Sequence, residues 1–276
     1  MKHSYHNIIM AVATFIFLLP SCTRHVAYSP AVQNVPGFKE KNESRISAAI
    51  ATPASRGESS FTIQGAYAVT NHFAVLASYN GTINGHSVLG YNERKYEPMD
   101  AEEYKRNSTE FGAGFFYPIS ADKKTILETY AGYGFGGNKI AELNNNTITG
   151  FHNSKTTRFF LQPIISFHLS RYATLSIPFR FTSVGYSDIK TNFTQGHLDT
   201  FQFSGLAKKR VAFLEPGCVL SVGLNNFPWI RIQCQANAIF FLGGPHVNYR
   251  DNYFSFGFHF DPVNAIKKGN IKNKPK

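Results

Sequence analysis

The chain has 276 residues, enough for one large domain or two small ones, and only 16% of them are charged while 15% are aromatic. That balance argues against a cytosolic enzyme, and a mean hydropathy slightly below zero argues against a bundle of membrane helices; both fit a chain whose apolar residues alternate with polar ones. The formal charge of +11 becomes +10 once residues 1–21, with one Lys and no acid, are set aside. The Lys and Arg are scattered without a recognition motif, so they suit loops near anionic headgroups and no nucleic acid is expected.

At the N-terminus, Lys2 precedes the largely apolar run Ile8–Leu19 and then Pro20-Ser21-Cys22. A helix of that run rises only ~18 Å, short of a ~30 Å hydrocarbon core, so it reads as a signal peptide and not a span. The cysteine after Leu19-Pro20-Ser21 resembles a bacterial lipobox. The resemblance implies cleavage before Cys22, a diacylglyceryl thioether on its thiol and acylation of the new amino group, several chains that together anchor stably. Thr23-Arg24-His25 lacks an acidic surface-sorting pattern, so the anchor is expected in the inner leaflet, facing the periplasm. Residues 22–43, with Pro30, Pro36 and Gly37, read as a periplasmic tether.

From Glu43 the pattern changes to period two. The apolar faces of the successive strands are Ile46–Ile50, Phe61–Val69, Phe73–Tyr79, Phe111–Tyr117, Leu127–Phe135, Phe159–Leu169, Ala173–Phe181, Leu214–Leu224, Ile230–Ala238 and Phe254–Phe260. The alternate positions are small or polar, as in Arg231, Gln233, Gln235 and Asn237. Short turns are expected at Thr70-Asn71, Ile119–Lys124, Ser170-Arg171 and Asn225–Pro228, and long loops at Asn80–Asn107, Gly137–Lys155 and Ser187–Lys209. The fold class is therefore all-β: a closed antiparallel transmembrane β-barrel of about ten strands (8–12) over residues 44–262, with short periplasmic turns and long extracellular loops. A soluble lipocalin-like lipid carrier would instead turn the Phe stripes inward; the scarcity of Lys on the polar faces, and Trp229 and Phe227 beside a short turn, argue for lipid outside. Over this region the chain resembles the Gram-negative outer-membrane β-barrels, here in a lipobox-bearing form, a likeness that implies architecture and a cell outer-membrane location but no shared activity.

Chemistry is harder to find. His86, His152, His197 and His246, with Asp100, Asp188, Asp199 and Asp251, fall in expected outer loops but match no motif, so no catalytic residue, metal site or cofactor is assigned. Gly132–Gly137 superficially suggests a phosphate loop, but it lies inside a strand, where inward glycine relieves crowding. Arg45, Glu110, Glu128, Arg180, Glu215 and Arg231 fall on inward faces and are expected to pair as a packed charge network that plugs the lumen. A hairpin centred on Asn226 would set Cys218 opposite Cys234, open to a cross-strand disulfide. The loop Asn80–Asn107, with Tyr91, Arg94, Tyr96, Tyr104 and Arg106, has a composition suited to a protein partner. The tail 263–276 is basic. The expected role is a non-enzymatic outer-membrane barrel lipoprotein, a structural or binding subunit acting through its loops among outer-membrane lipids. A rim enzyme, lipid-modifying or proteolytic, and the soluble carrier are the alternatives.

Overall fold

The alternation closes on itself. The structure, a computed structural model, describes residues 26–52, 58–84, 86–88, 101–144, 147–170, 172–224, 227, 229–263 and 265. Its strands are β1 (Ser44–Thr52), β2 (Ser59–Ala68), β3 (Phe73–Asn84), β4 (His86–Val88), β5 (Ala101–Pro118) and β6 (Thr125–Asn144), then β7 (Thr147–His168), β8 (Ala173–Thr191), β9 (Val211–Gly223), β10 (Ile230–Ala238), β11 (Phe240–Gly243) and β12 (Asn252–Phe260). The antiparallel ring runs β1-β2-β3-β5-β6-β7-β8-β9-β10-β12 and back to β1, so ten strands close the barrel. β4 prolongs β3 along β5, and β11 prolongs β10 along β9. Closure gives each of the ten ring strands a partner on both sides, which a wall facing lipid requires.

Which face points out follows from burial. Phe115, Phe256, Phe258, Phe111 and Phe159 stand outside with 66%, 61%, 55%, 53% and 53% of their surface free. In water such a continuous apolar wall would cost about 25 cal/mol for each Å² left exposed; against acyl chains it costs nothing. The Phe stripes thus face outward, the reverse of the soluble-carrier arrangement. Trp229 and Phe227 sit together at one rim, their rings 5.6 Å apart, beside the β9–β10 connection.

The connections at that rim are residues 69–72, 119–124, 169–172 and 224–229. At the opposite end the expected long loops are largely strand: β5 begins at Ala101, β6 and β7 are separated only by 145–146, and β8 runs to Thr191. The 22 residues of β7 extend ~73 Å, which at a barrel tilt near 40° is ~55 Å of height. The apolar band needs only ~25 Å, so β5–β8, with 18, 20, 22 and 19 residues, stand as a wall ~20–30 Å beyond it, while β1, β2 and β12 end near its edge.

The tether expected over 22–43 is not outside the barrel. Val26, Tyr28, Val32, Gln33 and Phe38 are buried, and the segment threads the lumen. Nor is the interior simply small and polar. Phe116, Ile126, Tyr130, Phe160 and Ile164 point inward and pack on Phe38 at the short-connection end, and a second apolar cluster around Tyr28, Phe213, Phe203 and Tyr253 fills the other end. Gly132 makes the first cluster possible, because the Phe160 ring lies 2.4 Å from where a Cβ would stand.

The cysteine pairing also differs. Leu220 faces Cys234 and Ala236 faces Cys218, two residues out of the register that would bridge them, and both thiols are free. The hairpin closes with Ile230 donating to the Phe227 carbonyl at 2.9 Å and Leu224 to the Ile230 carbonyl at 3.4 Å, so it is centred on Phe227 and not on Asn226.

Candidate functional site in the barrel lumen

The lumen is built around an extended stretch of the chain's own N-terminal region. Pro30 and Pro36 lack the N–H that a sheet ladder needs, so residues 26–38 lie extended without joining the wall as a strand. Gly37, at φ +64, supplies the bend that returns the chain towards β1. At the short-connection end the Gly37 and Phe38 N–H groups donate to the Glu128 carboxylate at 3.1 and 3.4 Å, which also accepts from the Tyr130 hydroxyl at 2.9 Å. Glu128 therefore caps the foot of the segment instead of pairing with an arginine.

Above it the wall grips the segment by its backbone. Gln162 donates to the Asn34 carbonyl at 2.7 Å, Gln64 to that of Val32 at 2.6 Å and the Tyr253 hydroxyl to that of Ala31 at 2.7 Å. Asn138 and Tyr186 share the Ala27 carbonyl at 3.2 Å each, and Arg106 takes that of Val26. Gln33 reaches the Glu215 carbonyl at 2.7 Å, and Ala27 N–H donates to the Asn248 carbonyl at 2.8 Å. These partners come from β2, β5, β6, β7, β8, β9 and β12 and the chain before β12, so the segment is held from nearly every side. A buried carbonyl left without a partner costs about 1–3 kcal/mol, and this ladder of donors removes that cost.

The middle layer carries charge. Glu110 pairs with Arg180 at 2.8 Å and lies 3.8 Å from Arg158; Arg180 also faces Glu215 across β8–β9. Tyr28 completes the layer, its hydroxyl donating to Glu215, its ring stacked on Phe213 at 4.1 Å and lying under the Arg158 guanidinium. Two carboxylates and two guanidiniums balance, which lets all four stay buried. Gly134 opposite Glu110 leaves room for it, since a Cβ there would come within 2.7 Å of the Glu110 side chain.

Of the six charges expected to form one lumen network, Glu110, Arg180 and Glu215 meet in this layer. Glu128 stands apart at the foot, Arg45 pairs with Asp261 and Arg231 bonds Thr174 at 3.1 Å, both near the short-connection end. Sequence reasoning misses Arg158, Glu58 and Tyr28, and it places Arg106, the partner of Glu58, in a loop. Arg158 lies just past the stretch read as loop; Tyr28 lies in the presumed tether.

The loop-end candidates do not converge. His152, on the projecting part of β7, is buried against Phe203 at 4.4 Å beneath the segment that carries the short helix Gln195–Thr200, and burial pushes its imidazole down to about 4. His246 bonds Gln202 at 3.0 Å, Asp199 bonds Gln195 and Ser204, and Asp188 pairs with Lys155 at 2.6 Å. His197 stacks on Phe201. Among the described residues no group of three His, Cys, Asp or Glu side chains is placed to hold a metal ion. Asp100, the side chain of His86, most of 80–107 between strands, nearly all of the basic tail and Cys22 lie outside the described residues. Tyr104 and Arg106, expected in the partner-binding loop, belong to β5 and point into the lumen.

No protein-family model matches the chain, and no curated protein sequence does. Solved structures with a similar outline include the translocator domain of autotransporter NalP from Neisseria meningitidis, with 11% identity over 94% of this chain and 95% of that one and a TM-score of 0.44. A KdgM porin matches at 8% identity over 78% and 98% with a TM-score of 0.37, and the outer membrane protease OmpT from Escherichia coli at 9% over 80% and 94% with 0.38. Their activities differ from one another, and none is carried over to this chain.

Proposed function

We propose that this chain is a non-enzymatic lipoprotein barrel of the outer membrane, a structural or binding subunit whose lumen is shut by its own N-terminal segment. The observation that carries this reading is the occupation of the lumen by residues 26–38, bonded to seven of the ten ring strands, which leaves the projecting wall and the connections at that end as the surfaces free to act. The partner-binding role expected of the loop after β4 is retained for residues 89–100.

The direction of the segment changes where the anchor belongs. Phe38 lies at the short-connection end and Val26 at the other, its N–H on the Tyr104 hydroxyl and the next carbonyl, that of Ala27, on Asn138. Cys22 is four residues from Val26, at most ~14 Å of chain. With short connections on the periplasmic side, an acylated Cys22 is held at the outer face and not in the periplasmic leaflet.

Two measurements on intact cells test this. Cys22→Ser abolishes acyl labelling, and a protease site inserted between Thr23 and His25 is cut by protease added outside. Undiminished labelling of the variant contradicts the anchor; cleavage only after permeabilisation contradicts the outer-face placement.

A further inference from the structure

The wall that stands beyond the apolar band carries a feature that the closed lumen does not use. On its outer surface Lys105 of β5 sits directly opposite Lys139 of β6. Lys139 is opposite Asn153 of β7, which in turn is opposite Lys190 of β8, and Lys155 lies two residues along β7 on the same face. Like charges directly opposite one another across strands are destabilising, so this arrangement calls for a counter-charge. Among the described residues the ion pairs on this face are Lys105–Glu103 and Lys155–Asp188; Lys139 and Lys190 take part in neither. Four cations thus stand over two carboxylates.

The lysines border a groove of about 1050 Å³ that is also lined by Asn107, Gly137, Phe61 and Tyr79. Below the row begin the outward rings of Phe135, Phe111 and Phe159. Lys139 is four residues from Phe135, ~13 Å along the strand and ~10 Å above it at the usual tilt. A headgroup layer is ~5–7 Å deep, and a lysine stem bends towards it readily. At the boundary itself Arg210 lies over the Phe159 ring at 4.8 Å and donates to the Thr157 carbonyl at 3.0 Å. Whatever occupies the groove touches acyl chains below and ammonium groups above.

We propose that this groove is a binding site for an anionic lipid of the surrounding leaflet, held through a headgroup bearing more than one phosphate. A headgroup with two negative charges neutralises the Lys105–Lys139 pair and reaches Lys190 or Lys155, while its acyl chains lie on the Phe-rich wall. The site rests on the membrane placement of the barrel.

The test uses the full chain in nanodiscs of zwitterionic lipid, with and without cardiolipin as the diphosphate lipid, and reads the thermal unfolding midpoint and lipid retained in native mass spectrometry. Cardiolipin raises the wild-type midpoint by at least ~2 °C and stays bound. Lys105→Gln/Lys139→Gln loses both effects yet is no less stable than wild type in zwitterionic discs, because the repulsion has gone with the charges. Lys123→Gln/Lys124→Gln, at the opposite rim, keeps both. The same upward shift in the Lys105/Lys139 variant, or a shift that inorganic phosphate alone reproduces, overturns the site. Failure of the wild type to enter discs at all would instead remove the membrane placement beneath it.

Discussion

A variant lacking residues 26–38, with the ring strands intact, is expected to open an ion-conducting path in planar bilayers where the full chain passes no steady current. The segment fills the lumen from Phe38 at one end to Val26 at the other, and its removal leaves Gln64, Gln162, Glu128, Glu215 and Arg158 facing an aqueous gap the width of an extended peptide. Those groups are polar and hydrate readily, so the gap stays wet. The variant is also less stable, because Val26, Tyr28, Val32 and Phe38 no longer bury their side chains, each worth about 1.5–3 kcal/mol. The wall survives because its strand pairing does not depend on the segment. Absence of current in a variant shown to be folded by its resistance to unfolding in cold detergent would mean that wall side chains alone, such as Phe116, Ile126 and Phe160, close the barrel.

Glu110→Ala is expected to be the most damaging single substitution in the charged layer. It strands Arg158 and Arg180, both less than a tenth exposed, without their shared carboxylate. Removing one partner of a buried ion pair costs about 3–5 kcal/mol, and here Glu215, which already accepts from Tyr28, is left as the single carboxylate for two buried guanidiniums. Glu110→Gln keeps an acceptor for the Arg180 N–H and should fall between. Unfolding midpoints in urea, taken in the same micelles, measure both; a loss below about 1 kcal/mol for the alanine variant would show that water reaches the layer.

The ten ring strands and their facing were legible in the sequence because, inside the membrane, one face meets lipid and the other does not, and period-two alternation records the difference. Beyond the band the outer face of β5–β8 meets water, while the inner face packs on a mixed filling, Tyr104, Ile140 and Tyr186 beside Glu102 and His152, so polar residues fall on both faces. There the alternation fades, and Lys105, Lys139, Lys155 and Lys190 look like loop residues although they belong to strands. Parity also explains the cysteines: alternation fixes that Cys218 and Cys234 share the outer face but is blind to a slip of two residues, which only the turn at 224–230 decides. The segment in the lumen was obscured by Pro30, Pro36 and Gly37, which have the composition of a linker. Its apolar residues, Val26, Tyr28, Val32, Val35 and Phe38, were the missed mark of burial. A segment outside the barrel would leave the six inward charges to pair with one another, whereas Glu128 and Glu215 are partly committed to holding the segment.

The central claim, that residues 26–38 lie inside the barrel, is tested most directly by thiol accessibility at Ala31. Ala31 is 5% exposed, and cysteine adds a single sulfur atom to its side chain, so Ala31→Cys in a background with Cys218→Ser and Cys234→Ser is a small change in volume. In the folded protein this thiol should resist a water-soluble maleimide for hours and react fully once the barrel is unfolded, while a control Lys190→Cys reacts at once in both states. Rapid labelling of Ala31→Cys in the folded barrel would contradict the account.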